Sequence, residues 1–209
     1  MSNTAPVLRL ASVSPRRREL LSQIGVPHVV TGAHIDETVL PGERAHDYVQ
    51  RMARTKAEAV WEQDNSLPVL AADTTVVLDG IVFGKPEDRA DAARMLSLLS
   101  GRTHEVLTAV ALASGAGEDA LDRPAGQNIA VRVSVSSVRF RVLSEAEIER
   151  YWDTGEARDK AGAYAVQGLA AVFIESLTGS YSGVMGLPLF ETSELLRAAG
   201  VPYWCTMGA

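Results

Sequence analysis

Cysteine is almost absent from this 209-residue sequence, which contains Cys205 and no other. A single thiol cannot form an internal disulfide, so disulfide-based scaffolds are excluded and a reducing compartment is expected. The histidines also lack the spacing of a zinc site, both among themselves and with the cysteine. They lie at His28, His34, His46 and His104.

Long apolar runs and an excess of positive charge are also missing. No apolar stretch reaches the roughly 20 residues that cross a bilayer, and residues 1–6 have neither the basic start nor the apolar segment of a signal peptide. The formal net charge is -6 and the pI is near 5.3, which disfavours broad binding to nucleic acid. We therefore expect a cytoplasmic protein that binds neither nucleic acid nor membranes.

Three common enzyme motifs are missing as well: the Walker phosphate loop, the glycine-rich dinucleotide fingerprint and the Gly-x-Ser-x-Gly elbow. What the sequence does contain is an ordinary apolar fraction of 46%, arranged in interleaved helix-like and strand-like patterns. Because tight hairpins are mixed among them, we predict an α/β fold with a central mixed sheet and flanking helices. The length fits one domain, or two small lobes around a shared cleft.

Local signals define most of the predicted elements. Ser14 followed by Pro15 is typical of a helix start, Asp79-Gly80 of a hairpin turn, and Ser144 with Glu147 of a capping box. A slip in the alternation at Ser136-Ser137 indicates a β-bulge, and the Gly- and Ala-rich stretch 114–126 is expected to connect a long hairpin. The predicted strands are 7–11, 67–72, a hairpin over 75–83, 105–113, 129–142 and 170–177, and the predicted helices are 15–24, 45–61, 87–99, 145–152 and 188–199.

The first helix start is a candidate anion site. Ser14, Arg16 and Arg17 lie where backbone N–H groups and the helix dipole already favour negative charge. Two arginines in that first turn cost stability unless an anion neutralises them, which points to a phosphate chain. Alternatively, both arginines extend into solvent or pair with a nearby acid such as Glu19.

A second candidate group surrounds Asp73, which follows the apolar strand 67–72, a usual place for a catalytic residue in an α/β protein. Folding the hairpin about Asp79-Gly80 sets Lys85 opposite Thr74, so an acid, a hydroxyl and a lysine gather at one end of a ribbon. The alternative is that Asp73 is a structural residue that caps a turn.

Glu37, with Asp36 beside it, offers oxygen ligands of the kind that Mg²⁺ prefers, although two acids in a loop are often merely solvated. Lys56 lies at the edge of the apolar face of the helix 45–61, where it either reaches into a cleft or extends along the surface to water. Gln167, in an irregular loop, carries an amide that could hydrogen-bond a nucleobase edge or only brace its own loop.

Taken together, these segments resemble the Maf family of nucleoside triphosphate pyrophosphatases, also called septum-formation proteins. The matching segments follow the family order along almost the whole chain. They are residues 10–21, 35–37, 72–74, 84–86, 99–104, 159–164 with Gln167-Gly168, and 186–189.

The resemblance implies a single domain over residues 1–209 with two lobes around a cleft, similar to inosine triphosphate pyrophosphatases. It also implies a homodimer, a nucleoside triphosphate substrate, and a divalent cation, Mg²⁺ or Mn²⁺. The family usually has Gly and Ile before the glutamine, where this chain has Ala165 and Val166. A regulator of cell division that senses nucleotides without turnover is the alternative function, and the intact acid and cations favour the enzyme.

The same resemblance assigns expected roles to individual residues. Asp73 is expected to accept a proton, and Glu37 and Asp73 to hold the metal. The combination of Arg16, Thr74 and Gln167 is similar to that of the subgroup that acts on dTTP and UTP. The expected substrate contacts are Ser14, Arg16, Arg17, Lys56, Thr74, Lys85 and Gln167.

Overall fold

The computed structural model describes residues 5–115 and 129–205 as a mixed α/β structure. Its strands are β1 (Leu8–Leu10), β2 (His28–Val30), β3 (Val69–Leu78), β4 (Ile81–Phe83), β5 (Thr103–Ala113), β6 (Ile129–Phe140) and β7 (Ile174–Thr178). Its α-helices are α1 (Pro15–Gln23), α2 (Ala45–Gln63), α3 (Arg89–Leu99), α4 (Glu145–Asp153), α5 (Tyr181–Met185) and α6 (Leu189–Ala198). Short 3-10 segments cover Glu156–Asp159, Ala161–Ala163 and Leu169–Phe173.

These strands form one sheet in the order β2-β1-β3-β5-β6-β7, with β4 added beside β3. Strand β1 runs parallel to β2 and β3, whereas β3, β5, β6 and β7 pair antiparallel in sequence. The predicted mixed sheet with flanking helices is therefore confirmed. Strands β5 and β6 are neighbours, as the predicted hairpin requires, but residues 116–126 of its connection lie outside the described residues.

Strand β3 is apolar without alternation because helices cover it on both faces. Val69 and Ala71 pack in one cluster with α2, whereas Leu70 and Ala72 pack in another with α1 and α6. Successive strand residues point to opposite faces, so the next two side chains, Asp73 and Thr74, also point to opposite faces. Complete burial of an aliphatic side chain stabilises the folded state by about 1.5–3 kcal/mol. The packing on both faces therefore holds β3, and the side chains that it carries, rigidly in place.

The predicted end of a strand at Asp73 is wrong, because β3 continues through Asp73 to Leu78. What ends there is the pairing along one edge. On that edge β1 pairs with β3 at Val69 and Leu70, and β4 resumes the pairing at Val76. Between these two pairings, over residues 71–75, lies a gap in the sheet edge. The sequence shows that the apolar run stops at Ala72, but it does not show that β3 loses its neighbour β1 there while it keeps β5.

The predicted β-bulge at Ser136-Ser137 is also wrong. Strand β6 pairs with β5 in an unbroken register from Ile129 to Arg139, and the irregularity occurs instead between Arg139 and Phe140, against β7. The apolar side chains of β6 change face along the strand without a bulge: Ile129, Val131 and Val133 pack in the cluster with α2, whereas Val138 and Phe140 pack in the cluster on the opposite face. Between them the buried Ser136 is satisfied by hydrogen bonds with the Ser180 backbone. Because both faces of the sheet are covered, the apolar pattern can shift by one residue with no extra residue in the strand.

Several local signals are confirmed. Pro15 begins α1, the Asp79-Gly80 turn joins β3 to β4, and Ser144 with Glu147 caps α4. The predicted strand 170–177 is correct only from Ile174, because Leu169–Phe173 is a 3-10 segment.

Candidate active site

The gap in the sheet edge opens into a cleft of about 760 Å³. Its walls come from the loop before α1, the loop before α2, the centre of β3, the segment after β4 and the loop around Gln167. All the residues expected to act on substrate or metal line this one cleft. They are Ser14, Arg16, Arg17, Glu37, Lys56, Asp73, Thr74, Lys85 and Gln167.

Helix α1 directs its N-terminus at the cleft. Ser14 lies at the N-cap position, but its hydroxyl makes no capping hydrogen bond, which leaves it available for an anion. Arg16 approaches a carboxylate oxygen of Asp159 only at 4.0 Å. No ion pair joins either arginine to Glu19 among the described residues, and the acid that Arg16 faces is Asp159.

Arg17 is held more firmly than Arg16. Its Nε donates to the Gly186 carbonyl at 2.8 Å, and its terminal nitrogens lie 3.3 Å from the hydroxyls of Ser12 and Thr74. Burial lowers the pKa of Arg17 and the nearby Asp73 carboxylate opposes that effect. Arg17 therefore joins the α1 loop to β3 and to the turn after α5, in addition to facing the cleft.

The centre of the cleft is an acid–lysine–acid arrangement. Lys56 Nζ, on α2, lies 2.7 Å from Asp73 Oδ1 and 2.6 Å from Glu37 Oε1. Lys56 and Asp73 are each 8% exposed, whereas the Glu37 side chain is 48% exposed. The second Asp73 oxygen, Oδ2, has no hydrogen-bond partner in the part of the chain described. It is therefore the oxygen that can accept a proton.

The alternative interpretation of Lys56 as a surface lysine does not fit, because its ammonium group is buried and faces Asp73, which lies on the α2 face of β3. Partial burial works to raise the pKa of Glu37, but the hydrogen bond and charge of Lys56, together with Lys85 and Arg17, lower it overall. Both acids thus face cations before any ligand arrives.

Asp36 and Glu37 have different surroundings despite being adjacent. Asp36 accepts hydrogen bonds from the backbone and hydroxyl of Thr38, at 2.9 and 2.6 Å, and shapes its own turn. The Glu37 carbonyl accepts a hydrogen bond from the Tyr48 hydroxyl at 3.0 Å, which ties this loop to α2. Burial and the charges of Asp73 and Glu37 raise the pKa of Tyr48 to about 12. Tyr48 is therefore a neutral hydroxyl at the cleft wall.

Lys85 lies opposite Thr74 when the β3–β4 register is continued by two residues, as the Asp79-Gly80 turn in the sequence predicts. It is exposed, and within the described ranges it has no ion-pair partner. The preceding Gly84 carbonyl accepts from Gly162 at 3.0 Å. Gly162 has a φ of 67°, and a Cβ there would lie 2.9 Å from Val76, so only glycine allows this close approach.

Gln167 lies at the exposed tip of a turn closed by the Gly168 N–H and the Ala165 carbonyl at 3.1 Å. Its carboxamide makes no hydrogen bond to the protein within residues 5–115 and 129–205, so it does not brace its own loop. Ala165 is not among the residues with positive φ, and Ala165 and Val166 are both buried. The two departures from the family pattern thus need no strained backbone.

The cleft residues that were not among the expected contacts include Ser12, Tyr48 and Lys160. Lys160 belongs to the 159–164 segment, and its side chain is 12% exposed and paired with Asp159. That segment was the signal that could have identified Lys160. Ser12 lies in the matching segment 10–21, which could have identified it in the same way. Tyr48 carries no sequence signal, since its role depends on its contact with Glu37 across the fold.

The donor set limits how a divalent cation could be held. In the described ranges no three His, Cys, Asp or Glu side chains form a group suited to a metal ion. Glu37 and Asp73 lie on either side of Lys56 Nζ. Since Mg²⁺ commonly uses one or two carboxylates plus phosphate oxygens and water, this pair fits a site completed by substrate.

Comparison with known proteins decides the family. The Maf-like protein family model matches residues 7–199. The chain belongs to the Maf family. A Maf relative named dTTP/UTP pyrophosphatase from Bordetella parapertussis is 54% identical over 94% of both chains. Relatives of the same name from Bordetella avium and Hahella chejuensis are 54% and 50% identical over 94% of this chain, and over 96% and 94% of their own lengths.

A solved structure, that of the Staphylococcus aureus Ham1 protein, is similar over 64% of this chain and 71% of its own, with a TM-score of 0.45 and 16% identity. The family assignment rests on the sequence comparisons. Among the described helices of this Maf protein, none combines the length and apolar character required to span a bilayer.

Proposed function

We propose that this Maf protein is a nucleoside triphosphate pyrophosphatase that hydrolyses dTTP and UTP to the monophosphate and pyrophosphate. The observation that carries the proposal is the convergence, in one cleft, of a buried acid and a set of cations from separate elements. One oxygen of that acid, Oδ2 of Asp73, has no hydrogen-bond partner among the residues that the structure describes. The names of relatives at 50–54% identity support the same substrate class.

In the proposed reaction, Asp73 accepts a proton from a water molecule as the water oxygen attacks the α-phosphorus. The new bond joins that oxygen to phosphorus, the bond to the bridging oxygen breaks, and pyrophosphate leaves. The Lys56 ammonium lies 2.7 Å from Oδ1 of Asp73, and we propose that this contact leaves Oδ2 to face the attacking water.

The remaining cations neutralise charge on the triphosphate. Arg16 and Lys85 have the fewest protein partners, and we propose that they contact the phosphates directly, together with the Ser14 hydroxyl and the N-terminus of α1. Arg17 and Lys56 contribute charge from fixed positions. Positioning and electrostatics, rather than covalent chemistry, supply most of the rate in such reactions.

We propose Glu37 and Asp73 as the protein ligands of Mg²⁺ or Mn²⁺. When bound, such a cation supplies charge neutralisation at the triphosphate and polarises a phosphoryl oxygen. Lys56 lies between the two carboxylates and competes with a cation for them, so substrate phosphates are needed to complete the site.

Gln167 is proposed to select the base. Its free carboxamide can accept from N3–H and donate to O4 of thymine or uracil. A purine presents a larger ring and a different donor pattern. An amide that the bound base covers without pairing with it costs about 1–3 kcal/mol. We further propose that the enzyme acts in the cytoplasm as a homodimer, as the family resemblance implies.

The deciding experiment incubates purified protein and Mg²⁺ with each triphosphate in H₂¹⁸O. We expect pyrophosphate as the product, ¹⁸O in the monophosphate, and dTTP and UTP consumed at least about tenfold more efficiently than ATP or GTP. Label in pyrophosphate instead of the monophosphate would contradict attack at the α-phosphorus. Tight nucleotide binding without turnover would instead identify a nucleotide-sensing protein, and preferential consumption of GTP would contradict the base assignment.

A further inference from the structure

The backbone of the loop that carries Gln167 is hydrogen-bonded to Glu156, a side chain that does not line the substrate cleft. Glu156 lies on the 3-10 segment after α4 and makes three hydrogen bonds. Its Oε2 accepts from the Leu169 backbone N–H at 3.0 Å, and its Oε1 accepts from the Ala170 N–H at 3.3 Å and from the Tyr151 hydroxyl at 2.8 Å. One carboxylate thus fixes the backbone just after the turn.

Tyr151 secures the other end of the same turn. Its hydroxyl oxygen accepts the Ala165 backbone N–H at 3.3 Å while its hydrogen is donated to Glu156. Tyr151 is 4% exposed and its ring packs edge-on against Phe173, with the ring centroids 5.2 Å apart. Burial and the Glu156 carboxylate raise the pKa of Tyr151, which keeps this hydroxyl protonated and able to donate.

The spacing between Glu156 and the turn leaves no room for a side chain at Gly168. A Cβ on Gly168 would lie 2.1 Å from Glu156 Oε2. The backbone at Gly168 is extended, with φ of -108°, so a side chain there would displace the Glu156 carboxylate without straining the backbone. The carboxylate therefore sets the distance between the turn and the 3-10 segment.

From these contacts we infer that Glu156, acting through Tyr151, is a positioning residue that sets base selectivity by holding Gln167 at the cleft wall. The inference rests on the proposed function, because selectivity is defined by the nucleotides that the enzyme hydrolyses. Gln167 makes no protein hydrogen bond of its own in the described residues, so its placement depends on how rigidly the turn behind it is held.

Removing the hydrogen bonds of the Glu156 carboxylate should weaken recognition of the base without weakening binding of the triphosphate. Glu156→Gln keeps the size of the side chain but replaces one acceptor oxygen with an NH₂ group, which cannot accept from a backbone N–H. The turn loosens and Gln167 loses alignment with the base. The cations that bind the triphosphate come from α1, α2 and the segment after β4, so phosphate binding should be unaffected.

The test measures kcat/KM for dTTP and for GTP, together with inhibition by inorganic tripolyphosphate, which has no base. For Glu156→Gln we expect the dTTP-to-GTP ratio to fall about fivefold or more, mainly through KM for dTTP, with tripolyphosphate inhibition unchanged. Glu149→Gln is the matched control, since Glu149 is exposed on α4 and has no hydrogen bond or ion pair within the described ranges.

Tyr151→Phe provides a second variant that retains the packed ring and removes only the hydroxyl, and we expect a smaller fall in the same ratio. An unchanged ratio in both folded variants, or equal losses on dTTP and GTP, would overturn the inference. If the wild-type protein hydrolyses no triphosphate, the proposed function fails. The same ratio, measured from dissociation constants, then still tests whether Glu156 positions the base-contacting loop.

Discussion

At the scale of single residues, Lys56 Nζ lies within hydrogen-bond distance of two acids that come from different parts of the chain, Glu37 and Asp73. Removing one partner from a buried charge pair is usually more costly than the pair is stabilising. With two acids present, Lys56 keeps a partner when either one changes. This redundancy allows Asp73 to be tested by substitution without leaving a buried ammonium group unpaired.

We expect Asp73→Asn to retain the fold and to lower kcat by about 10²–10⁴-fold, the usual loss for a positioned base. Asparagine preserves the size of the side chain, and Lys56 still pairs with Glu37. Steady-state turnover of dTTP, measured beside the melting temperature, checks this. Asp153→Asn is the control, because Asp153 is a surface acid paired with Arg89. Near-normal turnover by a folded Asn variant would remove Asp73 from the mechanism.

His104 gives a pH dependence of stability. It is 2% exposed, its Nε2 lies 2.8 Å from the Tyr164 hydroxyl, and burial lowers its pKa from 6.5 to about 4. The unfolded chain therefore binds a proton between pH 6.5 and 4 that the folded protein does not. His104 thus destabilises the folded state progressively as the pH falls through that window.

Between pH 7 and 5 we expect His104 to contribute a loss of about 2 kcal/mol in the free energy of unfolding. Urea unfolding at the two pH values measures the loss. His104→Gln, which cannot titrate, should be less stable at pH 7 but show a correspondingly smaller change between the two conditions. An equal change in both proteins would show that other groups account for the acid sensitivity.

At the scale of elements, the N-terminus of α1 presents two arginines in different circumstances. Arg17 makes three hydrogen bonds to other segments, whereas Arg16 approaches Asp159 only at 4.0 Å. The first turn of α1 therefore carries one arginine that makes structural contacts, Arg17, and one that is available to a ligand, Arg16.

Arg16→Ala and Lys85→Ala should each weaken substrate use with little change in melting temperature, since clustered cations repel one another without ligand. Arg17→Ala should weaken substrate use and also destabilise the protein by about 1–3 kcal/mol, because buried acceptors lose their donor. Thermal melting without nucleotide separates the two cases. A large loss of stability in Arg16→Ala would support a structural role for Arg16 instead.

Strand β3 shows how one element serves two purposes. Residues 69–72 of this strand bury apolar side chains on both faces. Among the described residues, the stretch 71–75 pairs with no strand on the edge where β1 and β4 lie. Asp73 points to α2 and Lys56, and Thr74 points to the opposite face and Arg17. A rigid strand thus supplies adjacent side chains to two different sets of partners.

At the scale of the whole molecule, the cleft contains more cations than proposed metal ligands. Arg16, Arg17, Lys56 and Lys85 line it, together with Glu37 and Asp73. We expect Mg²⁺ alone to change the melting temperature by less than about 1 °C, because Lys56 already pairs with both acids. Mg²⁺ with α,β-methylene-dTTP at about 100 times its dissociation constant should stabilise by about 2.7 kcal/mol, or several degrees. A large shift with Mg²⁺ alone would indicate a metal site formed by the protein itself.

Features that depend on contacts between near neighbours could be predicted from the amino-acid sequence. Pro15 begins a helix because its φ is preset, Asp79-Gly80 turns because it accepts positive φ, and Ser144 with Glu147 caps a helix through bonds between near neighbours. The hairpin register that sets Lys85 opposite Thr74 follows from that turn. The expected cleft residues also came from the sequence, through their resemblance to a known family.

Contacts between residues that are distant in sequence depend on the packing of whole elements and could not be predicted in this way. The strand does not end at Asp73, because β5 continues to pair with it after β1 has ended. Lys56 is buried because α2 crosses the face of β3 that carries Asp73, and Glu156 reaches the Gln167 turn only through the path of the chain after α4. These contacts join residues distant in sequence, and their free energy depends on the packing of whole elements, which no local pattern encodes.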